Sequence, residues 1–293
     1  MKNTAELRYG PSFLIIGAHR GGTTGIHQLL RKHPQLKDLP EKEIHYFDRD
    51  QKYSSPSHFA ESSFFKRFKD SSFREIFQRL LKNLFIEGAG NFFWYRKFVF
   101  KKISDDWYRQ LFKHVHGFKS WEATPAYSLL ELEDIQKIKN LFPELKVIFS
   151  LRNPIDRSWS HLRYTGRKKI SPHKLAMLLK SPEFSQRNAY CATLEKWESI
   201  FGKDQVLKVF FEDFESSPQK VAEQLSHFLK IEAFPEGALI ASYERFNASA
   251  ELDCPAEIRQ MLAENLKDEI QRVRSRIGGR SLEWNDTFGA PPR

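Results

Sequence analysis

Apolar residues in this chain gather in short runs separated by amphipathic stretches, and the two patterns alternate. Phe13-Leu14-Ile15-Ile16 is a compact apolar run rich in β-branched residues and reads as a buried strand; Ile26, Leu29 and Leu30 follow at helical spacing. Val147 to Leu151 is a near-continuous apolar run of the kind a fully buried parallel strand shows, and Leu129 to Leu141 before it is amphipathic with helical period. QVLKVFFEDF (205–214) reads as a further strand, leading into Pro218 and a helix over Val221–Leu229. Helices are also predicted over Asp105–His114, Phe184–Phe201 and Pro255–Ile277, the last ended by Gly278-Gly279. Strands separated by helices predict an α/β fold, a three-layer doubly wound parallel sheet.

The segment 51–102 departs from that alternation. Aromatic and basic residues are interleaved in FFKRFKDSSFREIFQRLLKNLF and NFFWYRKFVFKK, and Phe73, Ile76, Phe77, Leu80, Leu81, Leu84 and Phe85 fall at helical spacing, which predicts a helix over Ser72–Phe85. The segment reads as an inserted helical cap on one domain spanning 1–293, with 286–293 a flexible tail. Core packing with snorkelling Lys and Arg stems is the preferred account of its pattern; binding to nucleic acid or to a membrane surface is the alternative.

Charge adds a preference for anions. Forty-seven Lys and Arg stand against 37 Asp and Glu, a net charge of +10, which suits an anionic cofactor, acceptor, polymer or membrane without choosing among them. No apolar run is long enough to span a bilayer, and MKNTAELRYGPS lacks the basic-then-apolar pattern of a signal peptide. Only Cys191 and Cys254 are present, so neither a disulfide framework nor a metal-ligand spacing is expected, and a reducing, cytoplasmic setting is.

The chemistry concentrates at the ends of the two clearest strands. After Ile16, Gly17, Gly21 and Gly22 permit a tight turn into the first helix, where Thr23 and Thr24 are expected as caps and unpaired first-turn N–H groups make an anion site. The Gly17–Gly22 spacing is that of a P-loop, yet Thr23 stands where the P-loop lysine would be, and the positive charge lies in the loop at Arg20. The second strand ends in Arg152-Asn153-Pro154 rather than in the Asp that would hold magnesium, with Ser160 two turns along the next helix, a second candidate phosphate site. Between them, EKEIHYFD places Glu43 and His45 two apart, on one face of an extended segment, and either could accept a proton.

Taken in order, GAHRGGTT, EKEIHYFD, EATPAY and LRNPIDRSWSH resemble the sulfotransferases that use 3′-phosphoadenosine-5′-phosphosulfate, above all the bacterial and heparan-sulfate-type branch. The likeness runs from Pro11 to about Trp284 and is weakest over 51–102. It implies a P-loop-like sulfotransferase fold and a metal-free transfer of a sulfuryl group to a hydroxyl, less favourably an amine, of a glycan, lipid or other alcohol. It also implies that Gly21, Gly22, Thr23 and Thr24, with Arg20, hold the 5′-phosphosulfate, that Arg20 is catalytic as the charge that neutralises the leaving phosphate, at a position where much of the family has a lysine, that Arg152 and Ser160 hold the 3′-phosphate, and that Glu43 is the base with His45 as second candidate. By the same resemblance ERFNASAE (244–251) sits where family members place a loop over the nucleotide, which makes Arg245 and Asn247 expected contacts, and Ala123 stands where heparan-sulfate-type members tend to carry a lysine. Nucleic acid is not expected as a partner, whereas a peripheral membrane contact is left open. The alternatives are a P-loop kinase or nucleotidase and a non-catalytic protein that binds anions or polymers.

Overall fold

A computed structural model describes residues 9–53, 57–61, 63–85, 91–166, 170–235, 237–238 and 254–284. Five strands form one parallel sheet in the order β2-β3-β1-β4-β5, comprising β1 (Phe13–Gly17), β2 (Leu36–Asp38), β3 (Lys119–Glu122), β4 (Lys146–Leu151) and β5 (Val206–Phe210). Leu14 lies opposite Val147 on one side and Glu122 on the other, which fixes the register of the three central strands.

Alternation along the strands feeds two cores. Leu14, Ile16, Val147, Phe149 and Leu151 point to one face, and Phe13, Ile15, Trp121, Ile148 and Val209 to the other. The second face is covered by α1 (Thr23–Leu30) through Ile26, Leu29 and Leu30, and by α12 (Pro218–Leu229) through Val221, Leu225 and Leu229. The first is covered by α6 (Leu132–Leu141), α7 (Pro154–Tyr164), α8 (Pro172–Leu179), α10 (Tyr190–Phe201) and α13 (Ala256–Ile277). Fully buried strand side chains such as Ile15 and Ile148 each contribute about 2 kcal/mol, which explains why β1 and β4 read as uninterrupted apolar runs. The result is the expected three-layer α/β sheet.

From β1 the chain turns towards β2 and β3, whereas from β4 it turns the other way to β5. The carboxyl ends of β1 and β4 therefore flank a switch point, where an α/β sheet opens a crevice.

Several boundaries differ from the sequence expectations. The run expected as one helix over Leu129–Leu141 is a 3-10 turn, Pro125–Leu129, followed by α6, with Leu130 extended between them. Phe184–Phe201 is likewise two helices, α9 (Pro182–Asn188) and α10, broken at Ala189. The break has a cause: the Asn188 side chain turns inward to donate to the Phe184 carbonyl (2.8 Å) and accept from Arg157 (2.9 and 3.1 Å). The strand expected over 205–214 stops at Phe210, where α11 (Phe211–Ser216) begins, and the helix from Asp105 ends at Leu111 (α5) in a 3-10 turn. Between β2 and β3 the chain forms α2 (Phe64–Arg67), α3 (Ser71–Phe85) and α4 (Phe92–Phe100). The APPR tail and the loop holding Arg245 and Asn247 lie outside the described residues.

Candidate functional site

The loop from β1 to α1 is pinned to the end of β4. The Ala18 N–H donates to the Ser150 carbonyl (2.7 Å), the Gly21 N–H donates to the Ala18 carbonyl (2.8 Å), and the Ser150 hydroxyl donates to the Gly21 carbonyl. Space and conformation both demand glycine at 22: its φ is +89°, and a Cβ there would lie 2.4 Å from the Phe211 ring. Gly22 is the N-cap of α1 and no side chain caps it. The threonines are therefore not caps, contrary to the sequence expectation; a glycine in left-handed conformation takes the cap position and moves Thr23 and Thr24 into the first turn. Their hydroxyls instead accept from Lys42 Nζ, at 3.4 and 3.2 Å, and their N–H groups have no acceptor within the helix.

One cavity of about 640 Å³ opens over this loop at the switch point. Arg20, Gly22, Thr23, Thr24, Glu43, Arg152 and Ser160 all line it, so the two strand-end sites expected from sequence share a single hollow. Gly21 lies beneath, packed against the carbonyls of Ala18 and Ser150. His45 sits behind Glu43.

The cations are distributed in a way the sequence did not indicate. Arg20 turns away from its own loop: its Nε donates to Ser160 Oγ (3.2 Å) and its guanidinium lies over the Tyr164 ring, 4.8 Å from the centroid. Burial, and then the charge of Arg152, lower its pKa. Arg152 stacks over Phe211 (4.3 Å), while its carbonyl accepts from the Tyr190 hydroxyl (3.0 Å). Arg20, Arg152, Ser160 and Tyr164 thus gather at one part of the wall. At Thr23 and Thr24 the nearby positive charge is that of Lys42, which also donates to Glu43 Oε1 (3.1 Å). Lys42, Tyr164 and Gln28 were not singled out from the sequence. The signal for Lys42 was a P-loop without its lysine, which calls for a cation from elsewhere; for Gln28 and Tyr164 it was position, four residues after Thr24 and Ser160 on α1 and α7.

Glu43 and His45 do meet, though by a different route from the extended one expected. His45 adopts φ +57°, its Nε2 contacts Glu43 Oε2 (3.2 Å) and its Nδ1 contacts the buried Asp48 Oδ2 (2.7 Å). Burial alone would push the imidazole pKa down, but the Asp48 and Glu43 carboxylates outweigh it and hold it at about 10. Burial would raise Glu43, but hydrogen bonds and charge from His45 and Lys42 pull it to about 2. In this row of side chains Glu43 is therefore negative and His45 positive at neutral pH.

Glu122 builds this row. Fully buried at the end of β3, its Oε1 accepts from the N–H groups of Ile44 (3.1 Å) and His45 (3.3 Å) and from the Thr124 hydroxyl (2.6 Å), and Tyr108 donates to Oε2. The Tyr127 hydroxyl accepts from the N–H of Tyr46 (2.9 Å), and the Ala123 N–H donates to the Lys42 carbonyl (2.9 Å). EATPAY thus serves as the brace for EKEIHYFD. Ala123 itself is buried, and the cavity takes its ammonium from Lys42.

A family model described as "Sulfotransferase family" matches residues 11–236. Among solved structures, the chain is similar to a sulfotransferase from Alicyclobacillus acidocaldarius (21% identity, covering 94% of this chain and 98% of that one, TM-score 0.62). It is also similar to the sulfotransferase domain of the Synechococcus PCC 7002 olefin synthase (18% identity, 90% and 97%, TM-score 0.54). The sulfotransferase domain of the curacin biosynthetic pathway is a third likeness (16% identity, 89% and 98%, TM-score 0.54). These likenesses show the fold. No curated protein sequence gives a significant match.

Proposed function

The chain belongs to the sulfotransferase family, and from that premise we propose that it moves a sulfuryl group from 3′-phosphoadenosine-5′-phosphosulfate to the hydroxyl of a glycan, lipid or other alcohol. The observation that carries this reading is the single cavity lined by two cation groups, Lys42 with the Thr23-Thr24 turn and Arg152 with Arg20 and Ser160. A nucleotide with one phosphate at its 3′ position and another at its 5′ position fits that pairing in charge, and the donor set contains the rigid forks and hydroxyls that phosphate oxygens require.

When bound, the donor supplies the sulfuryl group, whose transfer resembles phosphoryl transfer in needing charge stabilisation above all. Lys42, the Thr23 and Thr24 hydroxyls and the first N–H groups of α1 bind the 5′ end and neutralise charge there, each pre-aligned donor typically contributing about 3 kcal/mol. Arg152, Ser160 and Arg20 hold the 3′-phosphate. This reading gives Lys42 the place next to the reacting centre, because the Arg20 side chain is engaged with Ser160 and Tyr164.

Glu43 takes the proton of the acceptor hydroxyl on its carboxylate, and His45, fixed by Asp48, positions it. Held at about 2 by Lys42 and His45, the carboxylate is a weak base. An anion that draws the ammonium towards Thr23 and Thr24 loosens one of those two restraints, so proton acceptance strengthens only when the 5′ site is filled. The reading is tested by calorimetry with 3′-phosphoadenosine-5′-phosphate against magnesium ATP, followed by nucleotide release with a panel of alcohols. Preference for ATP, or no binding of the bisphosphate, refutes it.

A further inference from the structure

The aromatic residues of α2–α4 divide into two sets. Phe73, Trp94, Tyr95 and Phe98 are buried, as the packing account expects. Phe65, Phe93 and Phe100 are not, with 83%, 64% and 56% of their surfaces exposed, and Leu81 and Leu84 are exposed beside them. The exposed set is continuous through ring contacts: Phe65 meets Phe64 (5.9 Å), Phe64 stacks on Phe100 (5.4 Å), and Phe100 meets Phe77 (6.4 Å). From Phe77 an apolar groove of about 750 Å³ runs past Leu81 and Leu84 to Phe93, and Arg96 and Lys101 stand at its edge. A second hollow of about 550 Å³ adjoins at Phe100 and Lys101 and is lined with Arg49, Arg67 and Lys102. Between 64 and 102 there are ten Lys and Arg against three Asp and Glu; Arg67 is buried and Arg79 is paired with Glu41, and the exposed cations include Arg96, Lys101 and Lys102.

We propose that this face docks on the surface of an anionic lipid bilayer. Exposed rings and leucines flanked by basic side chains match both parts of such a surface: the apolar side chains enter the boundary between headgroups and acyl chains while Lys and Arg meet the anionic headgroups. Charge argues for this occupant over a second copy of the chain, since face-to-face pairing would oppose two strongly basic surfaces. No described helix is long and apolar enough to cross a membrane, so the association is interfacial.

The same helices reach the catalytic segment. Arg79 of α3 pairs with Glu41, and the Tyr95 hydroxyl of α4 donates to the other oxygen of that carboxylate (2.8 Å), two residues before Glu43. The docking face and the proposed base are therefore parts of one braced unit. The bilayer proposal rests on surface observations alone and does not depend on the sulfuryl-transfer reading.

The test is co-sedimentation of the full chain with vesicles of phosphatidylcholine alone and of phosphatidylcholine with about a third phosphatidylglycerol, at low and high salt. Binding to the anionic vesicles only, weakened by salt, is expected. Leu84→Ser/Phe93→Ser should weaken partitioning roughly 100-fold and Lys101→Ala/Lys102→Ala roughly 30-fold. Both double variants should keep the wild-type circular dichroism, melting temperature and nucleotide affinity. The proposal is overturned if the wild type ignores anionic vesicles, or if the variants bind them undiminished. It is overturned equally if sedimentation velocity shows a wild-type dimer that the same substitutions dissociate, or if single-stranded oligonucleotide binds more tightly than the vesicles do.

Discussion

Replacing Arg152 by alanine tests the donor assignment without knowledge of the acceptor. The Arg152 carbonyl accepts from Tyr190 and its guanidinium stacks on Phe211, so truncation leaves the backbone anchored while removing the charge. A charge-assisted hydrogen bond is worth about 1.5–3 kcal/mol, which predicts roughly 10- to 150-fold weaker binding of 3′-phosphoadenosine-5′-phosphate. The decisive comparison is with adenosine 5′-monophosphate, which lacks the 3′-phosphate and should lose less than about threefold on the same substitution. Isothermal titration of both nucleotides against both proteins closes a cycle whose coupling term belongs to the 3′-phosphate contact alone. Equal losses for the two nucleotides would refute the assignment and place Arg152 elsewhere along the ligand.

Glu43→Gln should lower kcat by about 10²–10⁴ with nucleotide affinity within about threefold of wild type, measured by release of the bisphosphate with a competent acceptor; unchanged turnover removes Glu43 from the proton-transfer role. Gly22→Ala imposes a left-handed alanine and a Cβ against Phe211, so a loss of about 1–3 kcal/mol of stability is expected in chemical denaturation, together with weakened nucleotide binding; wild-type values for both would contradict the crowding. The pH dependence of the row follows from its two shifts. Glu43, lowered to about 2, stabilises the fold fully above its ordinary 4.5 and loses that contribution as pH falls towards 2. His45, raised to about 10, contributes fully below its ordinary 6.5 and loses that contribution as pH rises through 10. The difference in melting temperature between wild type and His45→Asn should therefore be greatest between about pH 4.5 and 6.5; a difference that grows above pH 8 would reverse the assigned charge states.

The parts of the fold that could be read in the sequence are those where burial and hydropathy agree. β1 and β4 are apolar because both faces of the sheet are covered, and the loop after β1 carries glycines because its geometry excludes side chains. β2 and β3 were not legible: LKD is three residues long, and KSWE hides a buried serine and a buried carboxylate that hydropathy assigns to solvent. The two strand-end sites could be placed from turn chemistry and charge, and the structure brings Arg20, Arg152 and Ser160 to one wall. Their grouping could not be, since the direction of the Arg20 side chain depends on Ser160 and Tyr164, a turn apart on a helix 140 residues later. Glu43 and His45 were found because they are close in sequence, yet their contact depends on a left-handed residue set by Glu122, almost eighty residues away.

That dependence on Glu122 bears on protein engineering. Grafting the 41–48 octapeptide alone onto another α/β scaffold would leave two amide hydrogens without their buried acceptor, and the imidazole would have no reason to sit against the carboxylate. A transplant that works must bring β3 and its Thr124-to-Tyr127 continuation with it, so the smallest portable unit of the Glu43–His45 pair consists of two discontinuous peptides.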